Sequence, residues 1–178
     1  MWKVTSSKTA FKNKWWHINQ EKVVLPSGKE IDYYLRDKHD ATMVFPLTKD
    51  NNVVLIEQYR HGKRRVFTEF PAGLNEEGET PERTAERELQ EETGYSGELV
   101  KLGELARDAG YSTGTLYLFL AKNAVKDKQT ALEPTENIKV FTMPLVEFKK
   151  KLLKREINHG LGDSCLGFIA LSYLGELK

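Results

Sequence analysis

The chain has 178 residues, 27 Lys plus Arg against 26 Asp plus Glu for a formal net charge of +1, 39% hydrophobic residues and one cysteine. A domain of this size buries roughly 70% of the surface its unfolded chain exposes, so folding requires neither disulfides nor a structural metal. Cys165 has no partner for an internal disulfide, the opening MWKVTSSKTAFKNKWW carries no apolar signal-type run, and stretches such as 116–121 fall far short of the ~18 residues of a membrane span; a cytoplasmic protein without membrane contact is expected.

Along residues 11–40 there is no helical period. Trp15, Trp16 and Ile18, then Val23 to Leu25, then Ile31 with Tyr33 to Leu35 read as short strands, with Pro26-Ser27-Gly28-Lys29 as a turn. This strand segment, 1–40, is set off from a main domain over 41–178. Met43–Leu47 and Val53–Ile56 predict a hairpin closed by Lys49-Asp50-Asn51-Asn52, followed by a strand over Phe67–Phe70. A helix is predicted over Pro81–Thr93, with Thr80 as N-cap, Pro81 at the first helical position and Gly94 just past the end. Strands follow at Glu98–Leu105, Leu116–Leu120 and Ile138–Thr142, the second reading as a central strand because its apolar run is unbroken. Helices over Leu145–Arg155 and Asp163–Leu177 close the chain, which makes the fold class a mixed α/β arrangement.

Charge is unevenly spread. The stretch Glu69 to Glu92 holds nine Glu and two Arg, a local charge of −7. On the predicted helix Glu88, Glu91 and Glu92 occupy neighbouring positions i, i+3 and i+4, where like charges repel unless hydrated or neutralised by a cation. A face of oxygen donors without Cys or His favours Mg²⁺ or Mn²⁺, ions that bind beside substrate phosphates. Taken alone, such a face is more often simply solvated.

The flanking residues change that weighting. Gly73, five residues, Glu79, seven residues, then Arg87-Glu88-Leu89-Gln90-Glu91-Glu92-Thr93-Gly94-Tyr95 resembles the Nudix box of the Nudix hydrolases. Seven fixed residue types at a usage of about 7% each would match by chance on the order of one time in a million. Tyr95 departs from the aliphatic residue usual at the final position. The resemblance implies a Nudix fold, an α/β/α sandwich around a mixed sheet with an N-terminal antiparallel β-hairpin, and hydrolysis of a nucleoside diphosphate linked to another group. It implies Glu88 and Glu92 as metal ligands with the Ala72 carbonyl, Glu91 completing the cluster, and Mg²⁺ as cofactor with Mn²⁺ as substitute. Gly73 is expected to permit a tight turn that faces the Ala72 carbonyl toward the metal. Arg87 is expected to orient the box by ion pairing, and Ala85 with Leu89 to form a narrow buried stripe. The general base is assigned to Glu136 in Glu136-Asn137-Ile138-Lys139-Val140, with Glu91 or Glu133 as alternatives.

Ile56-Glu57-Gln58-Tyr59-Arg60, Glu69-Phe70-Pro71-Ala72-Gly73, the Pro-Ser-Gly-Lys turn and the segment Gly160 to Leu174, with an Asp before the last helix, are similar to the ADP-ribose pyrophosphatase branch. That branch implies a nucleoside diphosphate sugar as substrate, Trp15 stacking on the base, Arg60 contacting substrate within the basic patch Arg60, Lys63, Arg64 and Arg65, and a homodimer formed through the N-terminal strands. One departure stands out: Asp108-Ala109-Gly110 has Ala109 where the branch commonly has proline, which leaves GDP-mannose or another nucleotide sugar as the alternative substrate. A non-hydrolysing nucleotide-binding Nudix domain is a second reading, set against the complete set of box carboxylates. Lys149-Lys150-Lys151 with Lys154 and Arg155 could meet RNA, but no stacking motif accompanies the run, and no nucleic-acid partner is expected. His159 and Cys165 read as structural.

Overall fold

A computed structural model describes residues 1–37 and 39–177. In chain order the elements are β1 (Lys3–Lys12), β2 (His17–Val24), β3 (Glu30–Asp37), β4 (Ala41–Thr48), β5 (Asn52–Arg60), β6 (Arg65–Glu69), β7 (Ala72–Leu74), α1 (Pro81–Glu88), a π-helical turn (Leu89–Thr93), β8 (Tyr95–Ala106), β9 (Thr115–Lys126), β10 (Ile138–Pro144), α2 (Leu145–Lys154) and α3 (Leu161–Tyr173). They form two compact units, residues 1–40 with 105–115, and 41–104 with 116–178.

In the first unit β1, β2 and β3 make an antiparallel sheet in that order. Sequence reasoning places no strand before residue 11, yet β1 begins at Lys3. All ten of its residues are exposed, so it has no apolar face to reveal it; its ladder with β2 is what holds it extended. Asn13 Oδ1 accepts from the backbone N–H groups of Trp15 and Trp16 at 2.8 and 2.7 Å, which turns the chain between β1 and β2. Segment 105–115 lies along β3: Arg36 N donates to Tyr111 O at 2.7 Å, Thr113 N to Arg36 O at 3.2 Å, and the Tyr33 hydroxyl to the Gly110 carbonyl.

The second unit is built around β4, whose residues Ala41 to Leu47 are all buried. It runs parallel to β9 and antiparallel to β5 and β7 in a mixed seven-stranded sheet of order β10-β5-β4-β9-β8, with β6 on β5 and β7 on β4. The run Leu116–Leu120 falls in β9, an interior strand between β4 and β8 whose Leu118, Phe119 and Leu120 are fully buried, as its unbroken apolar run predicts. Alternation sends neighbouring side chains to opposite faces. On one face Val44, Phe119 and Ala121 pack against Ala85 and Leu89 of the acidic helical segment. On the other, Phe45 meets Phe70 at 4.9 Å and Phe148 of α2 at 5.6 Å between ring centroids. Helix α3 covers β4 as well, with Leu166, Ala170 and Leu171 buried. The result is the α/β/α sandwich.

The predicted helix over Pro81–Thr93 starts as expected, Thr80 Oγ1 accepting from Arg83 N, but is α-helical only to Glu88 and π-helical to Thr93. Two contacts accompany the change: the Thr93 hydroxyl donates to the Leu89 carbonyl, competing with the regular ladder, and the Glu91 carbonyl accepts from the distant Ala131 N at 2.8 Å. Gly94, at φ 74°, ends the turn in the left-handed region.

Phe45→Ala should cost about 3–5 kcal/mol, because it empties the junction of three rings between sheet and α2. Urea unfolding checks this; a loss below about 1 kcal/mol would mean that the layer collapses to fill the space.

Candidate active site

Ala85 and Leu89 bind the helical segment to the sheet; Glu88 and Glu92 flank this buried stripe, and Arg87 and Glu91 lie further round the helix. Glu88 and Glu92 are buried, at 8% and 4% exposure. Arg87 is the hub. Its Nε and Nη2 donate to the two Glu79 oxygens at 3.0 Å each, its Nη1 to Glu88 Oε1 at 2.6 Å and Glu91 Oε2 at 3.2 Å, and its Nη2 also to the Leu74 carbonyl at 3.1 Å. Glu79 further accepts from Thr84 Oγ1 at 2.8 Å and Glu76 N at 3.1 Å. Arg87 holds the Glu79 carboxyl at about 2 despite its partial burial, so this fork stays ionised at any ordinary pH.

The buried carboxylates behave differently. Burial pushes Glu92 up to about 8; the Ala72 N–H, donating to Glu92 Oε2 at 2.8 Å, opposes this, while the charges of Glu88 and Glu136 add to it. Burial likewise raises Glu88, against the pull of Arg87. Two adjacent carboxyls that are reluctant to ionise are what a divalent cation would relieve by replacing the protons.

Gly73 has a role other than the tight turn expected. It lies in β7 without a positive φ, and a Cβ on it would stand inside the Glu88 carboxylate. Glycine is needed there for close approach of a side chain to the backbone. The preceding residue Ala72 donates its N–H to Glu92, so neighbouring residues of β7 meet the two buried carboxylates.

Of the residues singled out in the sequence, the second unit brings together Ala72, Glu88, Glu92, Glu136 and Arg60. Glu136 closes its own loop, its Oε2 accepting from Glu133 N at 2.8 Å, and its charge acts on both Glu88 and Glu92. Arg60 forks onto Glu69, with Nε 2.9 Å and Nη2 2.6 Å from Oε2, and the charges of Glu92 and Asp163 act on it. Glu91 is half-exposed and turned to Arg87. Trp15 belongs to the first unit, 68% exposed beside the turn after β1, with Lys14 Nζ 4.8 Å over its ring. Sequence reasoning noted Glu69 within Glu69-Phe70-Pro71-Ala72-Gly73 and Asp163 as the Asp at the last helix, but gave neither a role. Asp163 stands three residues after Gly160 at the helix start, the reciprocal half of a capping box.

The donor set fits a hard divalent cation: carboxylate oxygens of Glu88 and Glu92 and the neighbouring backbone of Ala72, with no sulfur or imidazole. Among the described residues no three His, Cys, Asp or Glu side chains converge on one point, since Arg87 draws Glu88 and Glu91 toward itself.

Residues 37–161 match the model of the NUDIX domain, and residues 2–35 that of the nucleoside diphosphate sugar hydrolase N-terminal domain. The chain belongs to the Nudix hydrolase family. Such hydrolases generally use a divalent metal. This Nudix chain is 31% identical over 157 residues to a Bacillus subtilis protein named ADP-ribose pyrophosphatase, covering 87% of this chain and 85% of the other. It is 30% identical, with the same coverage, to a Bacillus methanolicus protein named methanol dehydrogenase activator. A crystal structure titled ADP compounds hydrolase superposes with a TM-score of 0.86 at 21% identity over 99% of this chain and 97% of that one, which establishes the shared fold. No helix among the described residues is long and apolar enough to cross a membrane.

The Glu92 value lies above the ordinary 4.5, so its stability contribution is whole below that pH and is lost as pH rises toward about 8. In chelator the melting temperature should fall between about pH 5 and about pH 8, with Asp163, raised to about 6, contributing in the same direction. Glu92→Gln should flatten most of that fall. An equally steep fall in the variant would show that Glu92 is not the group responsible.

Proposed function

We propose that this protein hydrolyses the pyrophosphate bond of ADP-ribose or a related nucleoside diphosphate sugar, giving a nucleoside monophosphate and a sugar phosphate, with Mg²⁺ as cofactor and Mn²⁺ as substitute. The observation that carries the reading is the buried pair Glu88 and Glu92 set against neighbouring residues of β7, with every carboxylate of the box present. The Bacillus subtilis relative named ADP-ribose pyrophosphatase and the match of residues 2–35 to a nucleoside diphosphate sugar hydrolase domain support the substrate class.

Glu88, Glu92 and the Ala72 carbonyl would hold the cation, which when bound supplies positive charge to the pyrophosphate oxygens as the bond between phosphorus and its leaving oxygen breaks. Arg87, saturated by Glu79, Glu88, Glu91 and the Leu74 carbonyl, keeps the carboxylates in place rather than touching substrate. Glu136 takes the proton of the attacking water on a carboxylate oxygen; its charge already acts on Glu88 and Glu92, and Glu91 is the alternative base. Arg60, half-exposed and steadied by Glu69, offers its remaining guanidinium edge to a diphosphate. Trp15 stacks on the base with its exposed ring. Rate acceleration in such a site comes from positioning and charge.

A homodimer is proposed through the first unit, where Trp2, Val4, Phe11 and Trp15 are each more than half exposed.

Chromatography of products from ADP-ribose, GDP-mannose, NADH and diadenosine polyphosphate, each with and without Mg²⁺, tests the reading. Cleavage of ADP-ribose that needs the cation is expected, as is preference for it over the others. No cleavage of any would overturn hydrolysis; a different preferred diphosphate would overturn the substrate and point to the Ala109 loop. Glu92→Gln should lower kcat by at least about 100-fold in a folded protein, and Trp15→Ala should raise KM by roughly 10-fold with kcat nearly unchanged. A Trp15→Ala variant with wild-type KM would remove that residue from the base-binding role.

A further inference from the structure

Asp163 is 6% exposed and sits in the first turn of α3, 93 positions from the residue it binds most closely. Its Oδ1 accepts from Phe70 N at 2.8 Å and its Oδ2 from Gly160 N at 3.1 Å. Completing the helix start requires only the Gly160 contact, which an exposed side chain could supply. Burying a carboxylate to reach Phe70 as well is costly, and what it holds is the link between β6 and β7 that leads into the candidate cation site.

The next residues show what is being held. The Pro71 carbonyl accepts from Val44 N at 3.0 Å, and Ala72 N donates to Glu92 Oε2 at 2.8 Å. Phe70, Pro71 and Ala72 are thus pinned in succession by α3, by β4 and by the π-helical turn, while Glu69 just before them is forked by Arg60. Among the described residues the Asp163 contact is the one backbone hydrogen bond on Phe70 to Ala72 that comes from outside the sheet and the box, beside the ring contact of Phe70 with Phe148 of α2. A shift of Phe70 N would move the Pro71–Ala72 peptide and alter how Ala72 meets Glu92.

We propose that Asp163 is a positioning residue for the cation site: by holding the Phe70 N–H it sets the Ala72 backbone against Glu92. The proposal rests on Glu88, Glu92 and Ala72 forming that site. A purely structural role, tying α3 to the sheet, would destabilise the protein on substitution and leave cation affinity unchanged.

The discriminating measurement is Mn²⁺ binding by calorimetry to the full chain, without substrate, for wild type, Asp163→Ala, Asp163→Asn, Leu166→Ala and Glu92→Gln. Leu166 is fully buried on the same helix and serves as the control for lost packing. Asp163→Ala is expected to weaken Mn²⁺ binding by about 10–100-fold and to lower kcat for ADP-ribose by a similar factor, with KM at saturating cation little changed. Asp163→Asn, which keeps an oxygen for Phe70 N, should bind within about threefold of wild type, and Leu166→Ala should match wild type. Trimethylamine oxide keeps the Ala variant folded for the titration if it is marginal in buffer. Wild-type Mn²⁺ affinity in folded Asp163→Ala, with affinity lost in Glu92→Gln, would overturn the positioning role and leave the site intact. Equal losses in Leu166→Ala and Asp163→Ala would overturn it too. Wild-type affinity in Glu92→Gln would instead overturn the cation site itself and the proposal with it.

Discussion

Placing the carboxylates of Glu88 and Glu92 side by side out of water is the constraint around which the second unit is arranged. Each is raised by burial, Glu88 raises Glu92, and the charge of Glu136 acts on both. An isolated pair of this kind would simply stay protonated or unfold the helix that carries it. Here the surroundings divide the problem. Arg87 neutralises the Glu88 side, a backbone N–H engages Glu92, and the remaining deficit of positive charge is what a divalent cation would supply.

Holding that arrangement takes long-range structure. The apolar stripe of Ala85 and Leu89 fixes the helical segment on Val44 and Phe119, and contacts from Thr93 and the distant Ala131 to its carbonyls accompany the π-helical turn. Glu79, six residues after Gly73, returns to grip Arg87 from the connecting loop, so the box closes on itself. Gly73 lets Glu88 lie against β7 where any side chain would expel it. On the opposite side of the sheet the three-ring cluster of Phe45, Phe70 and Phe148 and the reach of Asp163 set the strand that carries Ala72. The two helical layers thus act on the same short strand from different directions.

Much of this was legible one-dimensionally. The fold class, the hairpin around Lys49–Asn52, the start of the acidic helix at Thr80 and its end at Gly94 all follow from turn chemistry and hydrophobic pattern, which are local. The carboxylates stood out because the residues of the box lie within one short stretch, Gly73 to Gly94. Strand β1 was not visible, because its ten exposed residues bear no apolar alternation, and neither was the attachment of segment 105–115 to β3, made by backbone hydrogen bonds that any sequence can form.

The sequence by itself determined which charged residues are gathered: Glu79, Arg87, Glu88, Glu91 and Glu92 stand at helical and loop spacings that bring their charges together, and for those on the helix periodicity needs nothing beyond the chain order. Tertiary structure decided which of them are buried, that Gly73 serves a side chain's approach rather than a turn, and that Glu69, Asp163 and Arg60 join the same neighbourhood. Those outcomes depend on desolvation and on contacts between residues as much as 93 positions apart. Neither quantity is a property of spacing along the chain; both arise only when the sheet and its two helical layers close around the segment Phe70 to Ala72.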